Sequence, residues 1–351
     1  MSNNTVRVLS VRAELRTDST DVTIAKPHLS WKTAATTPGW LQASAELELD
    51  GGTPVILTGR DSVLVEWPFD EIQPRTMHEI RVRVTGEDGT LSDWSGPQPI
   101  FAGFLADGDW DASMIGLANP EAVAQPVLLR TEFEVTAPVA KATLYATAHG
   151  AYQAEINGRE VDDQILKPGW TSYQYHLVHE TTDVTSLLIE GANAIGITLA
   201  GAWYTEHFGF REGAAPFYGS NPAAAAQLII DYVDGSTATV STNSRWKATA
   251  EGPIIGSGIY AGETYDARRE IAGWSQPAFE DVSWSPVRVD EEDYPVPVPR
   301  STPAVRAIDQ VAVSEIIDAP SGAKILDFGQ NLVGRLRITV TGERGHTITL
   351  R

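Results

Sequence analysis

The sequence predicts an all-β chain built of tandem β-sandwich modules, and three observations carry that prediction. Tyr152, Ala154 and Ile156 alternate with polar residues up to Asn157-Gly158, and Val161 resumes the extended pattern beyond it. Asn-Gly supplies the positive φ angles of a two-residue hairpin turn, so this stretch reads as paired strands. Thirty Gly and twenty-one Pro accompany ten Trp and ten Tyr, a mixture suited to short strands joined by tight turns. Helix signals are scarce: no segment carries a sustained apolar stripe of period 3.6, and only the Ala-rich Pro222 to Gln227 reads as a turn or two of helix.

At 351 residues the chain has room for two or three domains, each burying its own core. The formal net charge of −20 repels nucleic acid and anionic lipid, so neither is expected as a partner. There is no cysteine, which excludes a disulfide framework, a thiolate metal site and a Cys nucleophile. The opening residues MSNNTVRVLSVRAEL lack the apolar core of a secretory signal, and no apolar run approaches the roughly 20 residues needed to span a bilayer. The expectation is a cytoplasmic protein.

In chain order, short alternating segments occur at Arg7 to Val11, Leu29 to Trp31, Leu41 to Leu49, Val63 to Trp67 and His78 to Val84. They predict a small sandwich over residues 1–103. Its Pro27 to Trp31, Met77 to Val84 and Ser92 to Ser95 are similar to a fibronectin type III domain, with Trp31 as core residue; that fold usually has Tyr where Met77 or His78 stands. Trp94 reads as edge packing. Residues 104–124 mix Asp, Gly, Ala and Asn with little periodicity and read as a linker that packs on the next module through Trp110 and Ile115. A second sandwich follows over 125–289, with strands at Leu128 to Phe133 and Ala142 to Ala146, alternation at Tyr173, Tyr175 and Leu177, and the Asp234-Gly235 hairpin. The Pro-rich 290–300 is a connector, because each Pro lacks a ladder N–H. Strands are expected beyond it at Ile325 to Phe328, Gly334 to Thr341 and His346 to Arg351. The last pattern runs to the final residue, as in a protein that continues beyond Arg351.

The motifs INGREV (from Ile156), LKPGWTSY (from Leu166), DVT (from Asp183), EGANAIGITLAGAWY (from Glu190), AGETYDARRE (from Ala261) and LDFGQNLVGRLRI (from Leu326) stand in one order. That series resembles the N-terminal, non-catalytic half of bacterial α-L-rhamnosidases of glycoside hydrolase family 78. The resemblance implies a galactose-binding-like jelly roll over 125–289 and the start of a concanavalin-like β domain over 290–351. It also implies an (α/α)₆ catalytic barrel elsewhere in the same polypeptide, acting by inversion on terminal α-L-rhamnose of a rhamnose-containing glycoside. For this chain it implies an accessory role.

Inverting glycoside hydrolysis needs two carboxyl groups about 6.5–9.5 Å apart. Asp162-Asp163, Glu280-Asp281 and Asp290 to Asp293 are acidic enough, but neighbours on a strand point to opposite faces, so no catalytic residue is assigned. There is no Gly-x-Ser-x-Gly elbow, HExxH or Walker loop, and the seven His form no i, i+4 pair. His149 reads as a strand-end residue. Asp327-Phe-Gly-Gln-Asn331 belongs to the rhamnosidase series rather than to a kinase, and its polar side chains are expected to be buried at a sheet corner. Carbohydrate sites combine an aromatic face with carboxylate, amide and Arg groups. The candidates are Asn157, Asp163, Trp170, Trp203, Tyr204, Glu263, Tyr265 and Asp266. Against this stands a plain reading: Trp203-Tyr204 as core or interface, and Glu263 to Asp266 as a hydrogen-bonded loop. The resemblance permits a calcium ion beside the sugar, although no EF-hand spacing occurs. Two rivals remain: a structural scaffold with no sugar site, and a hydrolase complete in itself.

Overall fold

The computed structural model describes residues 5–14, 21–118, 125–209, 215–290 and 294–350. The N-terminal module pairs β1 (Val6–Ala13) with β2 (Leu29–Ala35), and against them lies a sheet of β3 (Gln42–Leu49), β4 (Val55–Thr58), β5 (Met77–Gly86) and β6 (Gln98–Phe101) in the order β4-β3-β5-β6. Alternation explains the core: Ala45 and Leu47 on β3 face Ile80, Val82 and Val84 on β5, all almost fully buried. Trp31 is buried as expected, its indole N–H donating to Gln42 Oε1 at 2.9 Å. Trp94 lies under two guanidinium groups, Arg83 at 4.7 Å and Arg81 at 5.6 Å, a half-buried surface contact. The expected strand at Val63 to Trp67 is reduced to a single bridge between Leu29 and Val65. Leu64 takes a φ of 50°, which no continuous strand accommodates.

The second module is one strip of sheet folded on itself. One half joins β11 (Arg159–Glu160), β10 (Ala151–Ile156), β13 (Gly191–Ala200), β8 (Val127–Val135), β18 (Lys247–Thr249) and β21 (Ser285–Val289) in that order. The strip continues through β7 (Ile115–Leu117), β16 (Ala223–Tyr232), β9 (Val139–His149), β12 (Val178–Asp183) and β22 (Val298–Pro299), with β17 (Thr237–Ser241) paired beside β16. The core lies between the halves: Leu129, Ile195, Ile197 and Trp246 meet Leu144, Ala146, Leu228 and Ile230. The residues read as a linker thus contribute β7 to this sheet, and the Pro-rich stretch contributes β22.

Four expectations give way here. Ala223 to Ala226 are not helical but begin the central strand β16, buried on both faces; a strand between two ladders is hydrogen-bonded whatever its helix propensity, and small side chains leave room for rings packed on it. Tyr173 to Leu177 does not form a strand. Tyr175 and His176 donate back to Ser172 O at 2.7 and 2.9 Å, which buries Tyr173 and leaves Tyr175 exposed. Beyond β23 (Glu315–Asp318) and β24 (Lys324–Asp327), residues 334–350 form no strand. Leu336, Ile338 and Val340 keep their alternation but stand exposed with no sheet against them, and the Asp327 to Asn331 side chains are not buried as expected.

Candidate functional site

Strand register divides the candidate residues between separate places. In the β10/β13 ladder, Ala151 faces Ala200 and Ile156 faces Ile195, so the two ends of this pair are about 17 Å apart. Asn157 sits at the Ile156 end with φ 53°. Its side-chain amide donates to Leu187 O at 3.0 Å and to Asn193 Oδ1 at 2.7 Å, and its oxygen accepts from the Ala194 N–H at 2.9 Å. Both donors and one acceptor direction of that amide are used to hold the turn. Asp163 lies on the exposed strap after β11, ion-paired with Arg306.

The other end gathers aromatic rings. Trp170 and Trp203 lie nearly parallel, centroids 6.3 Å apart at 8°, and Phe208 continues the series 5.3 Å from Trp170 at 10°. Trp170 is 54 % exposed, and its indole N–H donates to the Tyr218 hydroxyl at 3.1 Å. Phe208 is placed by the short β14 (His207–Phe208) paired with β15 (Ala215–Pro216). Behind the ladder, Tyr204 stacks on His149 at 4.6 Å and 5°, and Tyr173 meets both edge-on. Gly219 is dictated by this packing: a Cβ there would fall 2.3 Å from the Tyr204 hydroxyl oxygen. His149 ends β9 as expected, and burial depresses its imidazole to about 4, so it is neutral at physiological pH. Burial likewise raises the Tyr173 phenol well above its ordinary value.

Glu263, Tyr265 and Asp266 belong to a separate hairpin, β19 (Ile254–Gly258) with β20 (Gly262–Tyr265). Asp266 caps the following 3₁₀ turn and is held down at about 2 by its hydrogen bonds with Arg268. Tyr265 donates to Glu270 at 2.7 Å, and its phenol is pushed up to about 12 by burial and by that bond. The hairpin tip reaches the aromatic end through Glu206, whose carboxylate accepts from Tyr260 N–H at 3.2 Å and His207 N–H at 3.0 Å. Glu206, Phe208 and Tyr218 were not singled out in the sequence. The Pro-Phe-Tyr-Gly run at 216–219 was the available signal, since aromatics between a Pro and a Gly mark a loop that presents rings.

Members of the acidic pairs are drawn into ion pairs. Asp162 is bound to Lys167 at 2.8 Å, Asp281 to Arg130 and Lys247, and Asp290 to Arg288 at 2.5 Å; Glu291, Glu292 and Asp293 lie outside the described residues. No three His, Asp or Glu side chains among the described residues converge as a metal site.

Three family models match in chain order: the Rha78A-like N-terminal immunoglobulin domain over residues 8–106, the α-L-rhamnosidase N-terminal domain over 137–309, and the bacterial α-L-rhamnosidase concanavalin-like domain over 317–351. The chain belongs to the bacterial α-L-rhamnosidases. What it matches is the N-terminal portion of this rhamnosidase family. It is 39 % identical over 245 residues to an α-L-rhamnosidase of Streptomyces avermitilis, covering 69 % of this chain and 23 % of that protein. An α-L-rhamnosidase of Alteromonas sp. is 32 % identical over 353 residues, covering 93 % of this chain and 38 % of the relative. The crystal structure of native α-L-rhamnosidase from Aspergillus terreus superposes with a TM-score of 0.86 at 34 % identity, covering 93 % of this chain and 39 % of that one. The rhamnosidase chain described here thus spans between about a quarter and two fifths of the length of these relatives. No helix among the described residues is long and apolar enough to cross a membrane.

Proposed function

We propose that this rhamnosidase region is accessory: it supports a catalytic (α/α)₆ barrel elsewhere in the polypeptide and presents the terminal α-L-rhamnosyl group of a glycoside on the aromatic end of its jelly roll. The observation that carries the reading is the half-exposed ladder Trp203–Trp170–Phe208 with the Tyr218 hydroxyl at its edge. A 6-deoxy sugar offers a methyl group and an apolar C–H face to such rings, and its hydroxyls need nearby donors and acceptors. The binding set is Trp170, Trp203, Tyr204, Phe208 and Tyr218. Asn157, Asp163, Glu263, Tyr265 and Asp266 are left to structural duty, because their polar atoms are engaged elsewhere or they stand on other elements. Hydrolysis is assigned outside this chain, since three of the carboxylates that might serve as catalytic acid or base are neutralised by ion pairs. The net charge of −20 supports a partner set without nucleic acid or membrane.

Titration of intrinsic Trp fluorescence with L-rhamnose, with and without calcium, tests the sugar site. Saturable quenching that is lost in Trp170→Ala supports it. A flat trace to tens of millimolar transfers the ladder to the scaffold reading, which the half-buried Trp203 and Tyr204 favour. Incubation with p-nitrophenyl α-L-rhamnoside tests the accessory role: release of nitrophenol by this chain alone would overturn it.

A further inference from the structure

The six residues of β12, Val-His-Glu-Thr-Thr-Asp, are polar where a strand beside a jelly-roll core would ordinarily be apolar. Side chains alternate along a strand, so His179 and Thr181 share one face while Glu180 and Thr182 share the other. Both faces are occupied by buried polar contacts, and the partners come from three distant parts of the chain.

On the first face the partner is Asp21, from the segment that leads into β2 of the N-terminal sandwich. Its carboxylate accepts from the Thr181 hydroxyl and lies 3.8 Å from His179 Nδ1, with both the Asp21 and His179 side chains fully buried. Asp21 has a φ of 72°, and the backbone around it is locked by Val22 N–H to Phe101 O at 2.8 Å and Gly103 N–H to Val22 O at 2.9 Å. Gly103 has no Cβ for a reason: one placed there would fall on the Asp21 carboxylate oxygen. His179 is walled by Phe104, Trp110 and Tyr145, and Phe104 stacks on Tyr145 at 4.0 Å. Arg75 to Asp231 at 3.1 Å and the Lys141 ammonium over the Phe101 ring at 3.6 Å close the rim of the same contact.

On the second face Glu180 accepts from Arg300 at 2.7 Å, and Arg300 also donates to Gln164 at 2.7 Å. Thr182 donates to Asp162 at 3.0 Å, and Asp162 holds the Lys167 ammonium at 2.8 Å. Arg300 belongs to the connector that follows β22, whose Val298 N–H and Arg300 N–H donate to Leu177 O and His179 O. Asp162, Gln164 and Lys167 belong to the strap that leads to Trp170.

We propose that β12 is the junction strand of the molecule: the Asp21 clamp on one face fixes the N-terminal sandwich, and the Arg300 clamp on the other fixes the connector and the strap, each independently of the other. Apolar packing alone would tolerate small slips of one module on another, whereas buried polar partners are satisfied in a single register. Breaking such a pair leaves an uncompensated polar group that costs far more than the intact pair contributes.

Amide hydrogen exchange followed by mass spectrometry on the whole chain tests the proposal. Asp21→Ala is expected to speed exchange in β3 and β5 by about tenfold or more, while the connector around Val298 and Arg300 keeps its wild-type rate. Arg300→Met is expected to do the reverse, loosening the connector and residues 162–167 and leaving β3 and β5 unchanged. Thr181→Val and Arg300→Lys are milder versions that answer the same question should either first variant fail to fold. Acceleration of both regions alike by a single variant would overturn independence, and no change in the predicted region would overturn the clamp itself.

Discussion

The two ends of the β10/β13 strand pair both lie beside tight turns, yet one gathers amides and the other aromatic rings. At the Ile156 end, Asn193 is fully buried and makes four hydrogen bonds: its amide donates to Ile189 O and Gly191 O, and its oxygen accepts from Ile189 N–H and Asn157 Nδ2. Nothing there is left for a ligand. At the Ala200 end the polar atoms are few, and ring surface stays open to solvent. Saturation of its polar groups marks the Ile156 end as a structural corner, whereas the Ala200 end leaves ring surface open.

The sharpest way to break that comparison is Asn193→Ala. It strands Ile189, Gly191 and Asn157 groups in a buried site, and a loss of about 3–4 kcal/mol is expected in urea denaturation. The rhamnose titration of the folded fraction should be unchanged; a shifted titration would mean that the two ends are coupled.

His149 gives the next effect. Its folded-state value of about 4 lies below the ordinary 6.5, so the unfolded chain binds this proton first as pH falls. Its contribution is complete above pH 6.5 and is lost progressively as pH drops through 4, by up to about 3 kcal/mol. Stability measured between pH 7 and 4 should therefore fall less steeply in His149→Phe than in wild type. Equal slopes would show that the imidazole is hydrated in solution.

Trp170→Ala should cost less stability, about 1 kcal/mol or below, because more than half of the side chain is already in water. Its effect on the rhamnose titration should be complete. A large loss of stability with an unchanged titration would reverse the assignment and make the ladder a packing device.

Much of the fold was legible because its signals are local. Asn157-Gly158 and Asp234-Gly235 each announce a hairpin that the structure contains, and Trp31 is the core residue that its surroundings suggested. What escaped is set by distant partners. Ala223 to Ala226 have helix-forming side chains, but the ladders of β9 and β7 on either side make them strand. Tyr173 and Tyr175 alternate like a strand, yet the chain bonds back to Ser172 and sends one ring inward and the other out. The ladder was half visible: Trp170 and Trp203 were legible as aromatics near turns. Tyr218 had a signal in the Pro-Phe-Tyr-Gly run, whereas Phe208 is placed by the β14/β15 pairing, which composition cannot reveal.

The smallest expected effect sharpens the boundary of the site. Tyr265 is an exposed ring whose hydroxyl is committed to Glu270, on a hairpin whose Tyr260 N–H donates to the Glu206 carboxylate at the aromatic end. Tyr265→Phe keeps the ring and removes one surface hydrogen bond, so stability should change by no more than about 0.5 kcal/mol. If the sugar is held by the ladder alone, its affinity is unaltered in this variant. A weaker titration would place the phenol within reach of a sugar hydroxyl and extend the site along the hairpin, and because the Glu270 bond is lost in the same step, Glu270→Gln would then have to reproduce the weakening for that bond, rather than direct contact, to be its cause.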